Sequence, residues 1–203
     1  MNNPVLNIDN FFKKACIFEA SLILVAILLG WISEINPFEK LHFSEIAIAY
    51  GFIGTVPLLI LFFVLEHVKI ESVIKIRQLL LDTLGPGLYR YHWTDLLILA
   101  AIAGVSEEVI FRGVIQPWME SNWGATAALI GSNIIFGLAH ALTPLYAVLA
   151  GLIGIYLGLS MDFVEQRNLL IPIVIHGLYD YLAFMLLMRT YRIKQKNNAD
   201  SKE

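Results

Sequence analysis

The chain has 203 residues, 58% of them hydrophobic and only 15% charged, and its mean hydropathy is positive. A soluble domain of that length would need far more polar surface, so the composition points to a polytopic membrane protein. The net charge of −3 gives no reason to expect a nucleic-acid partner, and a single cysteine excludes an intramolecular disulfide and a cysteine-based zinc cage.

At the N-terminus, Lys13 and Lys14 precede an apolar run that superficially resembles a secretory signal. No small-residue cleavage site follows, and the run ends at Gly30-Trp31-Ile32-Ser33, which reads as an uncleaved first span. Cys16 is a small apolar side chain within it. Glu19 lies near its lysine-flanked end, where a carboxylate is expected to reach the interface.

A helix needs about 20 apolar residues to cross the bilayer core, fewer when flanking side chains snorkel. Six segments qualify: about 15–33, 47–66, 94–117, 124–141, 145–161 and 169–188. Between the second and third, over 68–84, Lys69, Glu71, Lys75 and Arg77 alternate with Ile70, Val73, Ile74, Leu79 and Leu80. That pattern predicts an amphipathic helix on the membrane surface. Gly85-Pro86-Gly87 is expected to end it in a loop. The fold class is therefore all-α: a membrane helix bundle of about six spans plus one interfacial helix. The chain divides into a two-span region with the interfacial helix (1–93), a second bundle (94–193) and a polar tail (194–203), expected to be disordered.

Lysine and arginine bias sets orientation. Lys13 and Lys14 flank the start, Lys69, Lys75, Arg77 and Arg90 lie between spans two and three, and Arg189, Arg192, Lys194 and Lys196 follow span six. The loop 34–45 is net acidic and 162–168 is nearly balanced, so both termini are expected to be cytoplasmic. On span five, Gly151, Gly154 and Gly158 form a small-residue face, read as close helix packing.

The most informative stretch is Glu107-Glu108-x-x-x-Arg112 inside an otherwise apolar segment. A charge at the bilayer centre costs roughly 2.5–3.5 kcal/mol on insertion scales, so three ionisable groups within six positions are retained for a purpose. Residues four apart share a helix face, which makes Glu108 and Arg112 an ion pair in the favourable orientation. Glu107 points about 100° away from Glu108 and lacks a partner on its own helix. Span four offers Phe136-x-x-x-His140, with Asn133 on nearly the same face, and span six offers His176-x-x-x-Asp180. If the third helix turns at Asn122-Trp123-Gly124, Glu107 and His140 reach similar heights.

Taken in order, Glu107-Glu108-x-x-x-Arg112-Gly113, Phe136-x-x-x-His140 and His176-x-x-x-Asp180 resemble the CPBP family of intramembrane proteases. These are the CAAX-protease and bacteriocin-processing proteins, also called the ABI family, and the resemblance covers about 94–188. It implies that Glu107 and His140 hold and activate a water, with Glu107 as general base. It also implies that His176 helps stabilise the oxyanion, while Glu108 and Arg112, with Phe136 and Asn133 nearby, brace the site. Many members carry asparagine where Asp180 stands. An aspartate cannot donate a hydrogen bond unless protonated, so Asp180 is expected to orient and charge His176 instead. Glu107, His140 and His176 could also supply a two-histidine, one-carboxylate zinc set, and the family has been described both as a metalloprotease and as a metal-free glutamate peptidase. The His-Glu-x-x-His helix is absent, and a metal-free site is the preferred expectation.

Two other function classes compete with an endopeptidase. One is a non-proteolytic scaffold or immunity factor of the same fold. The other is a small proton-coupled transporter, against which stands the lack of an inverted repeat. Expected partners are the lipid bilayer and a membrane-associated peptide or protein. The short N-terminal half and the six-span economy suggest a bacterial cytoplasmic membrane. The substrate is not specified: prenylated C-termini, leader peptides and membrane-anchored tails all occur among relatives.

Overall fold

In a computed structural model that describes residues 10–200, the chain is helical throughout, with no strand among the described residues. Helix α1 spans Phe11–Ile32 and α2 spans Glu45–His67. Ser44 starts α2, its hydroxyl accepting the N–H of Ala47 at 3.0 Å. Helix α3 (Glu71–Leu88) precedes α4 (Trp93–Ile110), whose entry is fixed by the Asp95 carboxylate accepting the N–H of His92 at 2.9 Å. One π-helical turn, Phe111–Ile115, joins α4 to α5 (Gln116–Trp123). Gly124, at φ 83°, supplies the left-handed residue that reverses the chain into α6 (Ala125–Ala139). Thr143 caps α7 (Pro144–Ser160), and α8 (Leu170–Asp200) closes the fold.

All six apolar segments are helical. By length and composition α1, α2 and α8 are long and apolar enough to cross a membrane, while α6 and α7 are shorter apolar helices of 15 and 17 residues. Large apolar side chains such as Phe18, Leu24, Phe52, Ile60, Ile134 and Val148 face outward. That distribution is stable in hydrocarbon, where the driving force between helices is close packing rather than apolar burial. Small residues provide it. A Cβ on Gly104 would lie 2.7 Å from the backbone nitrogen of Gly177, so α4 and α8 cross backbone to backbone.

Helix α8 is the hub. It packs against α2, α3, α4 and α7, with Ile171 and Ile175 beside Leu58 and Leu157 on one side and Met188 beside Leu88, Leu96 and Leu99 on the other. In the loop before α8, Arg167 binds both oxygens of Asp162 (2.9 and 3.0 Å) and reaches Glu120 of α5 at 2.7 Å. The hydrogen bonds to Asp162, above all, raise the guanidinium pKa from its ordinary value.

Two expectations are corrected. Gly85-Pro86-Gly87 does not end the interfacial helix, which runs on to Leu88. The missing side chains admit aromatic rings there: a Cβ at Gly85 would strike Tyr191, and one at Gly87 would strike Phe11. Tertiary packing thus overrides the local breaker signal. The polar tail is helical as far as Asp200, the limit of the described residues. It is anchored just before its start by Arg192, which donates to the carbonyls of Tyr89 (2.7 Å) and Tyr91 (2.9 Å), and at its start by Lys194, 3.5 Å from Asp82. Residues 201–203 of that expectation lie outside the described residues.

Candidate active site

The Glu-Glu-x-x-x-Arg segment sits where α4 passes into the π turn, and the two glutamates face different partners. Glu108 is fully buried and pairs with Arg112, Oε1 to Nη1 and Oε2 to Nε both at 3.2 Å. Arg112 is only 1% exposed, and its other terminal nitrogen, Nη2, donates to the Asn133 side chain at 2.9 Å and to the Gly154 carbonyl at 2.7 Å. A buried guanidinium so fully bonded is a brace between three helices. Phe136 lies under it, its ring centroid 4.7 Å from the guanidinium carbon.

Glu107 turns away from this brace, as the helix geometry requires. Its Oε2 lies 3.4 Å from Nε2 of His140, at the end of α6. His140 is held in turn: Nδ1 faces the Phe136 carbonyl at 2.9 Å, so Nδ1–H donates there and Nε2 is left for Glu107 or a reactant. The Phe136 ring packs against the imidazole, centroid to centroid 4.4 Å.

His176 comes from α8 and is 7% exposed. Its Nδ1 is 2.8 Å from Glu108 Oε1, and its Nε2 is 3.5 Å from Asp180 Oδ2. Helical spacing placed only Asp180 beside His176 and left its role open. Glu108 is the nearer carboxylate and therefore ties the brace to His176, a link between α4 and α8 that no helical spacing could reveal. Glu107, His140, His176 and Asp180 all line one cavity of about 600 Å³, walled mostly by apolar side chains that include Phe62, Leu84, Leu149, Ile153 and Phe184.

The motif residues Glu107, Glu108, Arg112, Asn133, Phe136, His140, His176 and Asp180 thus meet in one place. Residues 89–182 match the family model of Rce1-like type II CAAX prenyl endopeptidases. That segment is similar to the Rce1-like family. Every motif residue falls inside it, and the expected CPBP-type resemblance over about 94–188 agrees with it. No curated protein and no solved structure matches the chain. The family description is that of a CAAX prenyl endopeptidase, and three membrane-length helices make this chain an integral membrane protein.

The residues of the possible zinc set, Glu107, His140 and His176, all line this cavity. His176 has a carboxylate at each ring nitrogen, and His140 gives Nδ1 to a carbonyl. No group of three such ligands converges among the described residues. Two features escaped the sequence reading. The Gly154 carbonyl is an acceptor for Arg112, so the glycine face of α7 shapes the site as well as the packing. Glu19 of α1 lines the same cavity, with Oε2 buried. Its signal was present as an acid in an apolar run, four and eight residues after Ala15 and Phe11, which line the cavity from the same helix face.

Proposed function

We propose that the protein is an intramembrane endopeptidase in which Glu107 and His140 activate water at the polar end of an apolar cavity. The observation that carries this reading is the 3.4 Å approach of Glu107 Oε2 to His140 Nε2, in a chamber that also contains His176. A water held between the two would lose a proton to Glu107 as its oxygen attacks the scissile carbonyl carbon. The carbonyl oxygen gains the electron pair, and His176 donates a hydrogen bond from Nε2 to it. Collapse of the tetrahedral intermediate breaks the C–N bond, and the proton on Glu107 passes to the leaving amine. Glu108 fixes the His176 ring through Nδ1, and Arg112 fixes Glu108.

The family description names prenylated CAAX substrates, and the apolar cavity suits a peptide with a lipidated or apolar flank. The lysine and arginine distribution orients both termini to the cytoplasm, which agrees with a bacterial cytoplasmic membrane. In liposome-reconstituted protein, Glu107→Ala or His140→Ala should reduce cleavage by about 10²-fold or more with the fold intact by circular dichroism. Full activity in both variants would sink the reading. Comparing membrane-protein termini in cells with wild type and Glu107→Ala would then identify the substrate.

A further inference from the structure

Every acidic group of the site except one has a cationic or imidazole partner. Glu107 meets His140, Glu108 meets Arg112 and His176, and Asp180 meets His176. At the far side of the cavity, Glu66 meets Arg77 at 3.7 Å. Glu19 forms no ion pair or hydrogen bond among the described residues, although it lines the same cavity and its Oε2 is buried. It also lies within electrostatic reach of Glu107 and Asp180, two like charges, and more weakly of His176 and His140. An unpartnered acid in a membrane helix is costly, and neighbouring carboxylates add to that cost. The apolar neighbours on its own face, Ala15 and Phe11, offer it nothing.

We propose that Glu19 is a specificity-determining residue that receives a positively charged side chain of the substrate close to the scissile bond. This rests on the endopeptidase reading and deepens it. The partner's charge follows from the balance of the site. His140, His176 and Arg112 are already engaged by Glu107, Glu108 and Asp180, so no cation of the site is left in the low-dielectric cavity to pair with Glu19. An incoming lysine or arginine neutralises it, whereas an acidic residue meets three carboxylates at once.

The test separates binding from cleavage. Fluorescent peptides of the CAAX class, anchored by an S-farnesyl cysteine, would carry Lys, Gln or Glu in turn at each residue within three of the scissile bond. Binding would be read by anisotropy in nanodiscs, on protein inactivated by His140→Ala so that the acidic set is unchanged. At one position the Lys peptide should bind at least about tenfold more tightly than its Glu twin, and Glu19→Gln and Glu19→Leu should each reduce that ratio to within about twofold. An unchanged ratio in both variants overturns the proposal, as does binding of none of the peptides. If all peptides weaken equally in Glu19→Leu and recover in Glu19→Gln, Glu19 accepts a neutral N–H instead, and the charge assignment fails. Cleavage by the otherwise wild-type protein is the separate arm. If it equals that of Glu107→Ala while the charge preference holds, the endopeptidase reading fails and the Glu19 site stands.

Discussion

Glu108 Oε1 lies 2.8 Å from Nδ1 of His176, joining α4 to α8 across 68 positions of sequence. The same carboxylate carries the ion pair to Arg112, so one fully buried group holds both the brace and the His176 imidazole. Glu108→Gln keeps an acceptor for His176 but leaves the Arg112 charge without its counter-ion. Breaking a buried pair in this way typically costs about 3–5 kcal/mol. Thermal unfolding in detergent should show that loss, and the double variant Glu108→Gln/Arg112→Met should lose less than the sum of the single variants.

Asp180 stands farther from the imidazole than Glu108 does, at 3.5 Å from Nε2. Because Glu108 holds the ring from the other side, Asp180→Asn should keep activity within about tenfold, the scale of one weak positioning contact. Asp180→Leu, which offers no polar atom to Nε2, should fall further. Steady-state kinetics on the two variants checks the order; equal, complete loss in both would give Asp180 a direct role in the reaction.

Two glycines on one face of α7 should respond differently to a methyl group. At Gly154 a Cβ would strike the Asn133 side-chain oxygen and approach Arg112 Nη2 to 3.1 Å, inside the brace. At Gly158 it would meet the end of Leu129 at 2.7 Å and Gln116 Oε1 at 2.9 Å, both on flexible side chains. Gly154→Ala is therefore expected to destabilise by about 1–3 kcal/mol, the usual range for overpacking. Gly158→Ala should cost less, as differential scanning fluorimetry in detergent would show.

Metal removal gives a further check on the chemistry. Nδ1 of His140 and Nδ1 of His176 each face an oxygen acceptor, an arrangement that also orients metal-binding imidazoles, whereas the proposed reaction has Glu107 and His140 activate water without a metal. Dialysis against 1,10-phenanthroline should leave cleavage unchanged. Loss of activity that is restored by added zinc would contradict this outcome.

Much of the site was legible from spacing. Glu108 with Arg112, Phe136 with His140, and His176 with Asp180 are each four residues apart, and helix geometry puts such pairs on one face whatever surrounds them. The turn at Gly124 was legible for a similar reason, because a left-handed residue strongly favours glycine. The π turn at Phe111–Ile115 was not. It depends on how α4 and α5 seat against the rest of the bundle, and no single residue type announces it.

The sequence by itself determined the solvent, the helices and the cost of the buried charges: 58% apolar residues, six long apolar runs and one Glu-Glu-x-x-x-Arg segment leave little else. Only the tertiary structure decided which helix answers each charge. It gave Glu107 to His140 and Glu108 to His176, carried α3 through Gly85-Pro86-Gly87 by packing rings against the glycines, and turned Glu19 into the cavity. The physical reason is that spacing fixes a side chain's direction relative to its own helix axis. Its partner depends on the rotation and crossing of neighbouring helices, which are set by many small packing contacts distributed along the chain.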